Sequence, residues 1–120
     1  MKTIQSYRDL KVWQQGMDIA QDCYELTRSF PKEETYGMIS QIRRSAVSVP
    51  ANIAEGYGRE YRAEYVQFLR ISQGSLKELE THLLLSIRVK LSYPDLVNPV
   101  LEQCESLGKM LRSLIRSLQK

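Results

Sequence analysis

The sequence contains few of the residues from which catalytic and metal sites are built. Its 120 residues include one histidine, His82, and two cysteines, Cys23 and Cys104. A carboxylate-bridged di-iron bundle needs a Glu-x-x-His motif on two helices, and one histidine cannot supply both. Both cysteines lie within helical apolar patterns, where two buried free thiols are favoured over a disulfide or a metal pair. We therefore expect no cofactor and no metal.

Nucleophilic catalysis has no better support. His82 would have to serve as the base, but it lies on a predicted helix with no Gly-x-Ser-x-Gly elbow nearby. A residue at the surface or edge of a helix is the favoured interpretation of His82. Gly56 and Gly58 lack the flanking residues of a phosphate-binding loop. The sequence therefore predicts a protein that is not an enzyme.

Long apolar runs are absent as well. No stretch approaches the ~18 apolar residues of a membrane helix, and residues 1–6 lack the apolar region of a secretory signal. We expect a cytoplasmic protein with no membrane partner. Proline and glycine together are only ten residues, which is typical of a folded chain. The length fits one domain over residues 1–120, with a core of about residues 7–118.

Apolar residues recur at helical spacing in four segments, which short turn-rich stretches separate. The predicted helices span about residues 7–28, 35–55, 62–91 and 95–118. No segment alternates with a period of two. A near-heptad repeat favours helices packed at small crossing angles, so the sequence predicts an all-α, antiparallel up-down four-helix bundle. Pro50 lies inside the second segment, whose apolar register continues across it. This favours one helix kinked at Pro50 over two short helices.

The first predicted helix carries two neighbouring apolar rows. One row consists of Leu10, Trp13, Met17, Ala20 and Tyr24, and the other of Val12, Ile19, Cys23 and Leu26. Together they predict a broad apolar face packed on the core.

Charge is distributed unevenly, although the net charge is only +3. Residues 37–77 and 108–120 carry +3 and +4, and residues 78–107 between them carry −3. On the last helix, one side is apolar and the opposite side is basic; the basic side consists of Lys109, Arg112, Arg116 and Lys120. A solvated face with cations near the helix C-terminus is one interpretation. A ridge facing phosphates is the other.

Arginines on the second and third helices allow two interpretations. Arg43 and Arg44 lie beside core positions, where interhelical pairing with Glu55, Glu78 or Glu80 is the structural interpretation. The functional interpretation leaves them free to contact phosphate. Arg59 and Arg62 lie at a turn among tyrosines, a combination suited to backbone phosphates and stacked bases.

One long segment is specific enough to suggest a family. Residues 41–59, QIRRSAVSVPANIAEGYGR, resemble the signature of the four-helix bundle proteins encoded in 23S rRNA intervening sequences, also labelled S23 ribosomal proteins. The stretches LKVWQ at 10–14 and FLRISQGSLKELET at 68–81 fit as well. This resemblance covers roughly residues 7–118. It implies an up-down bundle assembled into a homopentamer, with no enzymatic activity.

The same resemblance implies kinship with accessory proteins of diversity-generating retroelements, which bind nucleic acid and a reverse transcriptase. Tyr61 departs from the family pattern, which usually has Ser or Thr at this position. With Glu64, a Ser or Thr would form a capping box for the third helix. Replacing Tyr61 by Ser is therefore predicted to stabilise the protein by up to ~1 kcal/mol.

Two functional hypotheses follow. The first is a non-enzymatic, oligomeric scaffold that binds RNA or DNA through seven basic residues: Arg43, Arg44, Arg59, Arg62, Lys109, Arg112 and Arg116. The alternative is an adaptor ring that recruits a partner protein without contacting nucleic acid. Exposed Tyr36, Tyr57 and Tyr93 would mark its surface.

Overall fold

Four helices account for most of the chain in a computed structural model that describes residues 3–120. They are α1 (Lys11–Thr27), α2 (Met38–Tyr57), α3 (Arg62–Arg88) and α4 (Pro94–Leu118). Within the described residues there is no strand, and the prediction of an all-α four-helix bundle is confirmed. Met1 and Lys2, part of the stretch considered as a secretory signal, lie outside the described residues.

Each helix packs against the next one along the chain, and α4 returns to pack against α1. The α2–α3 interface is the most extensive of the four. The 44 Å long axis of the molecule is close to the ~40 Å expected for a helix of the length of α3. Fully buried side chains from all four helices meet in one core; among them are Ile19, Ile42, Ile53, Leu69, Leu79, Leu83, Leu107 and Leu111.

The start of α3 and the end of α4 agree with the prediction, and the other helix ends differ from it by one to four residues, for local reasons. Ser6 and Asp9 form a capping box around a 3-10 turn, and Leu10 is extended, so α1 starts at Lys11 instead of residue 7. At its C-terminus α3 stops at Arg88 because Lys90 adopts a left-handed φ of 64°. The amide of Leu91 then donates to the carbonyl of Ser86 at 2.9 Å, which closes the helix end.

Pro50 lies in the middle of α2, which passes through it without interruption. The prediction of one helix across the proline is confirmed, while the bend expected there stays a prediction. Gly16 of α1 lies against the proline, since a Cβ at Gly16 would be 3.3 Å from the Cβ of Pro50. On the other side, the buried Ser72 hydroxyl of α3 donates to the carbonyl of Val49 at 2.9 Å. Pro50 thus packs against α1, while the residue before it is hydrogen-bonded to α3.

The rotation of α1 about its axis differs from the expectation. The row that contains Val12, Ile19 and Cys23 is buried, whereas Met17 and Tyr24 of the other row are 45% and 39% exposed. A bundle helix contacts only two neighbours, so an apolar stripe wider than that contact cannot be covered completely. The other three members of that row do pack on the core; they are Ala20, which is buried, Leu10 and Trp13. The expected broad face is therefore buried except at Met17 and Tyr24.

Candidate nucleic-acid interface

A groove with a volume of about 990 Å³ runs between α3 and α4. Its floor is apolar and includes Leu76, Leu101 and Ile115. Five cations and two carboxylates line it: Arg70, Lys77, Lys109, Arg112 and Arg116, with Glu80 and Glu105. The groove thus carries a formal charge of +3, equal to that of the whole chain, so the remaining charges of the molecule cancel.

Helical spacing explains why the cations meet there. Lys109, Arg112 and Arg116 follow one face of α4, and Arg70 and Lys77, seven residues apart, follow the facing side of α3. Small residues keep the space between the helices open. A Cβ at Gly74 would have no atom within 4 Å, and one at Gly108 would meet only Leu76, at 3.7 Å.

The lysines of the groove have partners of their own. Lys109 lies 3.6 Å from Glu105, and Lys77 lies 3.2 Å from Glu80. Both pairs join residues of the same helix, and exposed pairs of this kind contribute ~0–1 kcal/mol.

The three arginines of the groove differ from the lysines. Arg70, Arg112 and Arg116 are exposed, and within residues 3–120 no ion pair, hydrogen bond or ring contact involves their side chains. Three guanidinium groups with unused donors therefore face one groove. Because a guanidinium matches the geometry of phosphate oxygens, such a groove suits a phosphate chain.

Arg43, in contrast, is bound within the bundle. Its Nε donates to the hydroxyl of Thr27 at 2.8 Å, and its guanidinium lies 4.5 Å from the centre of the Tyr24 ring. Both partners belong to the last turn of α1, where a cation also meets the negative end of the helix dipole. The contacts favour the structural interpretation, although the partners are not the glutamates expected.

Arg44 and Arg59 also have partners. Arg44 lies 3.6 Å from Glu78 and so connects α2 to α3. Arg59 pairs with Glu55 at 3.2 Å and lies 4.7 Å from the centre of the Phe68 ring. Only the Arg44 pair is an interhelical Arg–Glu contact of the expected kind.

Arg62 connects the bundle end to the groove. Its Nη1 is 3.5 Å from the main-chain oxygen of Lys120, a long hydrogen bond between the start of α3 and the end of α4. Tyr61 precedes it and is 64% exposed. Tyr57 is half-buried and packs edge-to-face on Tyr65 with ring centres 6.0 Å apart. Of the predicted seven residues, the structure brings Lys109, Arg112 and Arg116 together, with Arg62 beside them.

Sequence reasoning missed Arg70 and Lys77. Their seven-residue spacing was a usable signal, because it places both on one face of α3. The spacing does not say which neighbouring helix this face meets. That depends on how α3 is rotated relative to α4, and in the structure the face meets the basic side of α4. Helix-by-helix reasoning could not supply this rotation.

The residues considered for catalysis or metal binding remain apart from the groove floor. His82 is half-buried, with Nε2 3.3 Å from a carboxylate oxygen of Glu78, one turn away. Burial, and secondarily the charge of Asp22, raises the pKa of Cys23 to about 12. Burial, followed by the proximity of Cys23, raises the pKa of Cys104 to about 12. Both thiols are free and stay protonated near neutral pH, which makes them poor nucleophiles and ligands.

Residues 3–120 contain neither a metal-binding cluster nor a membrane-spanning helix. No group of three or more His, Cys, Asp or Glu side chains is arranged to hold a metal ion. No helix within this range has the length and apolar character needed to cross a membrane.

Comparison with known proteins agrees with the resemblance in the sequence. The family described as 23S rRNA-intervening sequence protein matches residues 8–113. A solved structure from Bacteroides thetaiotaomicron, described as a protein with unknown function from the S23 ribosomal protein family, is similar with a TM-score of 0.78 and 25% identity. The alignment covers 87% of this chain and 97% of that one. Among curated proteins, none matches.

Proposed function

Because this chain belongs to the 23S rRNA-intervening sequence protein family, we propose that it is a non-enzymatic scaffold that binds the phosphate backbone of RNA or DNA. The α3–α4 groove is the contact surface in this proposal. Lys109, Arg112 and Arg116 contact phosphates there, together with Arg70 and Lys77. Arg43, Arg44 and Arg59 do not line this groove, and each contacts a residue of a neighbouring helix, so they support the bundle instead.

The observation that carries the proposal is that Arg70, Arg112 and Arg116 have no partner within the part of the protein that the structure describes. All three line one groove, and their donors are unused within the described residues. Arginines that only stabilise a bundle are expected to resemble Arg43, with its donors directed at Thr27 and a tyrosine. Unpaired cations close together repel one another, so their proximity favours an anionic ligand.

Oligomerisation is the second part of the proposal. Several copies of the groove on one assembly would multiply a weak contact by avidity. Exposed apolar side chains near the α3–α4 turn provide surface for assembly; they are Leu84, Leu85, Val89 and Leu96. A second groove of about 350 Å³ lies between α1 and α4, and it is lined by Asp22, Glu25, Leu96 and Pro99 among others. Because this groove is acidic and apolar, it is complementary to a basic and apolar surface of another molecule.

The direct test compares two variants of equal charge. Arg112→Gln/Arg116→Gln removes two groove cations, and Lys11→Gln/Lys32→Gln removes two exposed lysines outside the groove. Each variant lowers the net charge from +3 to +1. Binding of labelled RNA and DNA duplexes is measured by fluorescence anisotropy between ~50 and ~200 mM salt. The three arginines of the groove alone, each neutralising one phosphate, predict a decrease in affinity of at least about 40-fold over this range.

In the groove variant, the slope of log K against the logarithm of the salt concentration is expected to be smaller in magnitude by about 2, since two phosphate contacts are lost. The lysine variant should keep the slope of the unmodified protein. Equal effects in both variants would assign binding to overall charge instead of the groove. No binding at low salt would end the proposal.

The adaptor hypothesis has support of its own. Tyr36 and Tyr93 are 96% and 71% exposed and lie at the same end of the bundle, while Tyr57 is half-buried. That end also carries the exposed Leu84 and Leu96, a surface suited to a partner protein. Absence of nucleic-acid binding, together with binding to a partner protein that is lost in Leu84→Ser/Leu96→Ser, would favour the adaptor.

A further inference from the structure

The groove continues to the end of the bundle where α2 joins α3. Gln119 lines the groove, and the next residue, Lys120, accepts the hydrogen bond from Arg62. Arg62 is the first residue of α3 and directly follows Tyr61. A ligand that lies along the groove therefore passes Arg62 and meets Tyr61 as it leaves.

Tyr61 contributes little to the fold. It occupies the N-cap position of α3, yet its side chain makes no capping hydrogen bond. Within residues 3–120 no ion pair, hydrogen bond or ring contact involves this side chain, and it is 64% exposed. The cap position thus holds an aromatic ring where a small polar residue would stabilise the helix.

The other aromatic rings around this turn are half-buried and have partners. Tyr57 and Tyr65 pack edge-to-face, and the guanidinium of Arg59 covers Phe68 at 4.7 Å. Tyr61 is the exposed ring at this turn, and within the described residues neither a ring nor a cation contacts it, so it is the ring best placed for stacking. Stacking on an aromatic ring is how proteins hold unpaired bases.

The groove itself provides no stacking surface. Its lining contains no Phe, Tyr, Trp or His, and consists of basic, amide, small and aliphatic residues with two glutamates. A single strand laid in it would leave its bases without aromatic partners. A duplex keeps its bases stacked internally and presents phosphates outward, which is what the arginines can bind.

We propose that the groove and Tyr61 together bind a duplex end that carries an unpaired nucleotide. Phosphates of the duplex contact the arginines of the groove, and the unpaired base stacks on Tyr61. From Lys77 to Arg62 the α3 helix rises by about 22 Å, equivalent to about six base pairs of duplex. This inference rests on the proposed function and adds a ligand class to it.

The test uses labelled duplexes of about 12 base pairs, twice the length of the site. They are blunt or carry a short 3′ or 5′ single-stranded extension, each made in RNA and in DNA. Fluorescence anisotropy at low salt compares their affinities. One extended duplex is expected to bind at least about fivefold more tightly than the blunt one, the gain of one base stacked on an aromatic ring.

Three variants show whether this gain in affinity depends on the ring of Tyr61. Tyr61→Ser is expected to bind extended and blunt duplexes equally, while it raises the melting temperature by forming a capping box with Glu64. A loss of the gain in this variant therefore cannot reflect unfolding. Tyr61→Phe keeps the ring and should keep the gain. Tyr36→Ser, at the opposite end of the bundle, should also leave it unchanged.

The outcomes separate this inference from the function on which it rests. If blunt and extended duplexes bind equally, or if Tyr61→Ser keeps the gain, the unpaired-base site is wrong and the groove proposal stands. Tighter binding of a single strand than of either duplex would also overturn the inference. If no nucleic acid binds, both fail.

Discussion

Hydrogen-bond and ion-pair partners separate the arginines of this protein into two groups. Arg43 and Arg59 direct their guanidinium groups at residues of the bundle, so binding phosphate would first break these contacts. Arg112 and Arg116 have no such contact within residues 3–120. Because a charge-assisted hydrogen bond contributes ~1.5–3 kcal/mol, the availability of donors decides which arginines can bind a ligand.

The two cysteines give a prediction at the residue scale. Both have a pKa raised to about 12 in the folded protein, against 9.0 for an exposed thiol. Above pH 9 the unfolded chain releases these protons first, so the unfolded state binds fewer protons and stability falls as pH rises. Between the unfolded and folded pKa values, each thiol should lower the free energy of unfolding by up to ~1.4 kcal/mol per pH unit. Urea unfolding at pH 8, 9 and 10 measures the slope.

Cys23→Ala/Cys104→Ala is the matched comparison for that slope. The variant is less stable at every pH because it leaves small cavities, but its stability should fall less steeply above pH 9. Parallel curves for the two proteins would show that the thiols titrate normally. In the folded protein, a thiol reagent at pH 8 should find neither cysteine reactive until denaturant is added.

At the scale of the helices, one glycine sets the distance between α2 and α3. A Cβ at Gly56 would lie 2.7 Å from the Cβ of Phe68 and 3.2 Å from the carbonyl oxygen of Tyr65. Neither atom can move without the helix that carries it. The close approach lets the last turn of α2 pack on the first turns of α3, in the most extensive interface of the bundle.

Replacing Gly56 by alanine should therefore destabilise the protein, by ~1–3 kcal/mol as for other overpacked cores. Gly74→Ala is the matched control, since it also lies within a helix but a Cβ there meets nothing within 4 Å. The control should be up to ~1 kcal/mol more stable than the unmodified protein, because alanine favours helix. Chemical unfolding of both variants provides the comparison, and equal stabilities would contradict a tight α2–α3 contact.

At the scale of the whole molecule, α4 separates two grooves of different character. The α3–α4 groove is basic, and the α1–α4 groove presents Asp22 and Glu25 beside apolar residues. Because the basic groove has to stay open for phosphate, an assembly of copies would have to use other faces, such as the exposed apolar residues near the α3–α4 turn. The pentamer that the family resemblance implies stays a prediction.

Light scattering of the purified protein tests the assembly. The expected mass is about five times the 13.9 kDa of one chain. Leu84→Ser/Leu96→Ser removes two exposed apolar side chains and should lower the mass if the α3–α4 end forms the contact, while leaving the helical content unchanged. A monomer at micromolar concentration would refute the oligomeric part of the proposal without affecting the groove.

Much of this architecture could be predicted from the sequence. The number of helices, their order and the continuity of α2 through Pro50 follow from apolar periodicity and turn residues. Helix ends were less accurate, since the capping box at Ser6 and the left-handed Lys90 depend on particular hydrogen bonds. Both apolar rows of α1 were predicted to face the core, but Met17 and Tyr24 are exposed, because helical spacing alone does not fix how far the helix is rotated.

The order of the residues is enough to dictate four amphipathic helices with a basic side on the last, because helical geometry decides which residues share a face. How each helix is rotated against its neighbours is set by the packed core. That rotation brings Arg70 and Lys77 to the basic side of α4, binds Arg43 to the end of α1, and leaves Tyr61 exposed beside Arg62. Contacts between distant segments depend on packing of the whole core, which no local pattern encodes.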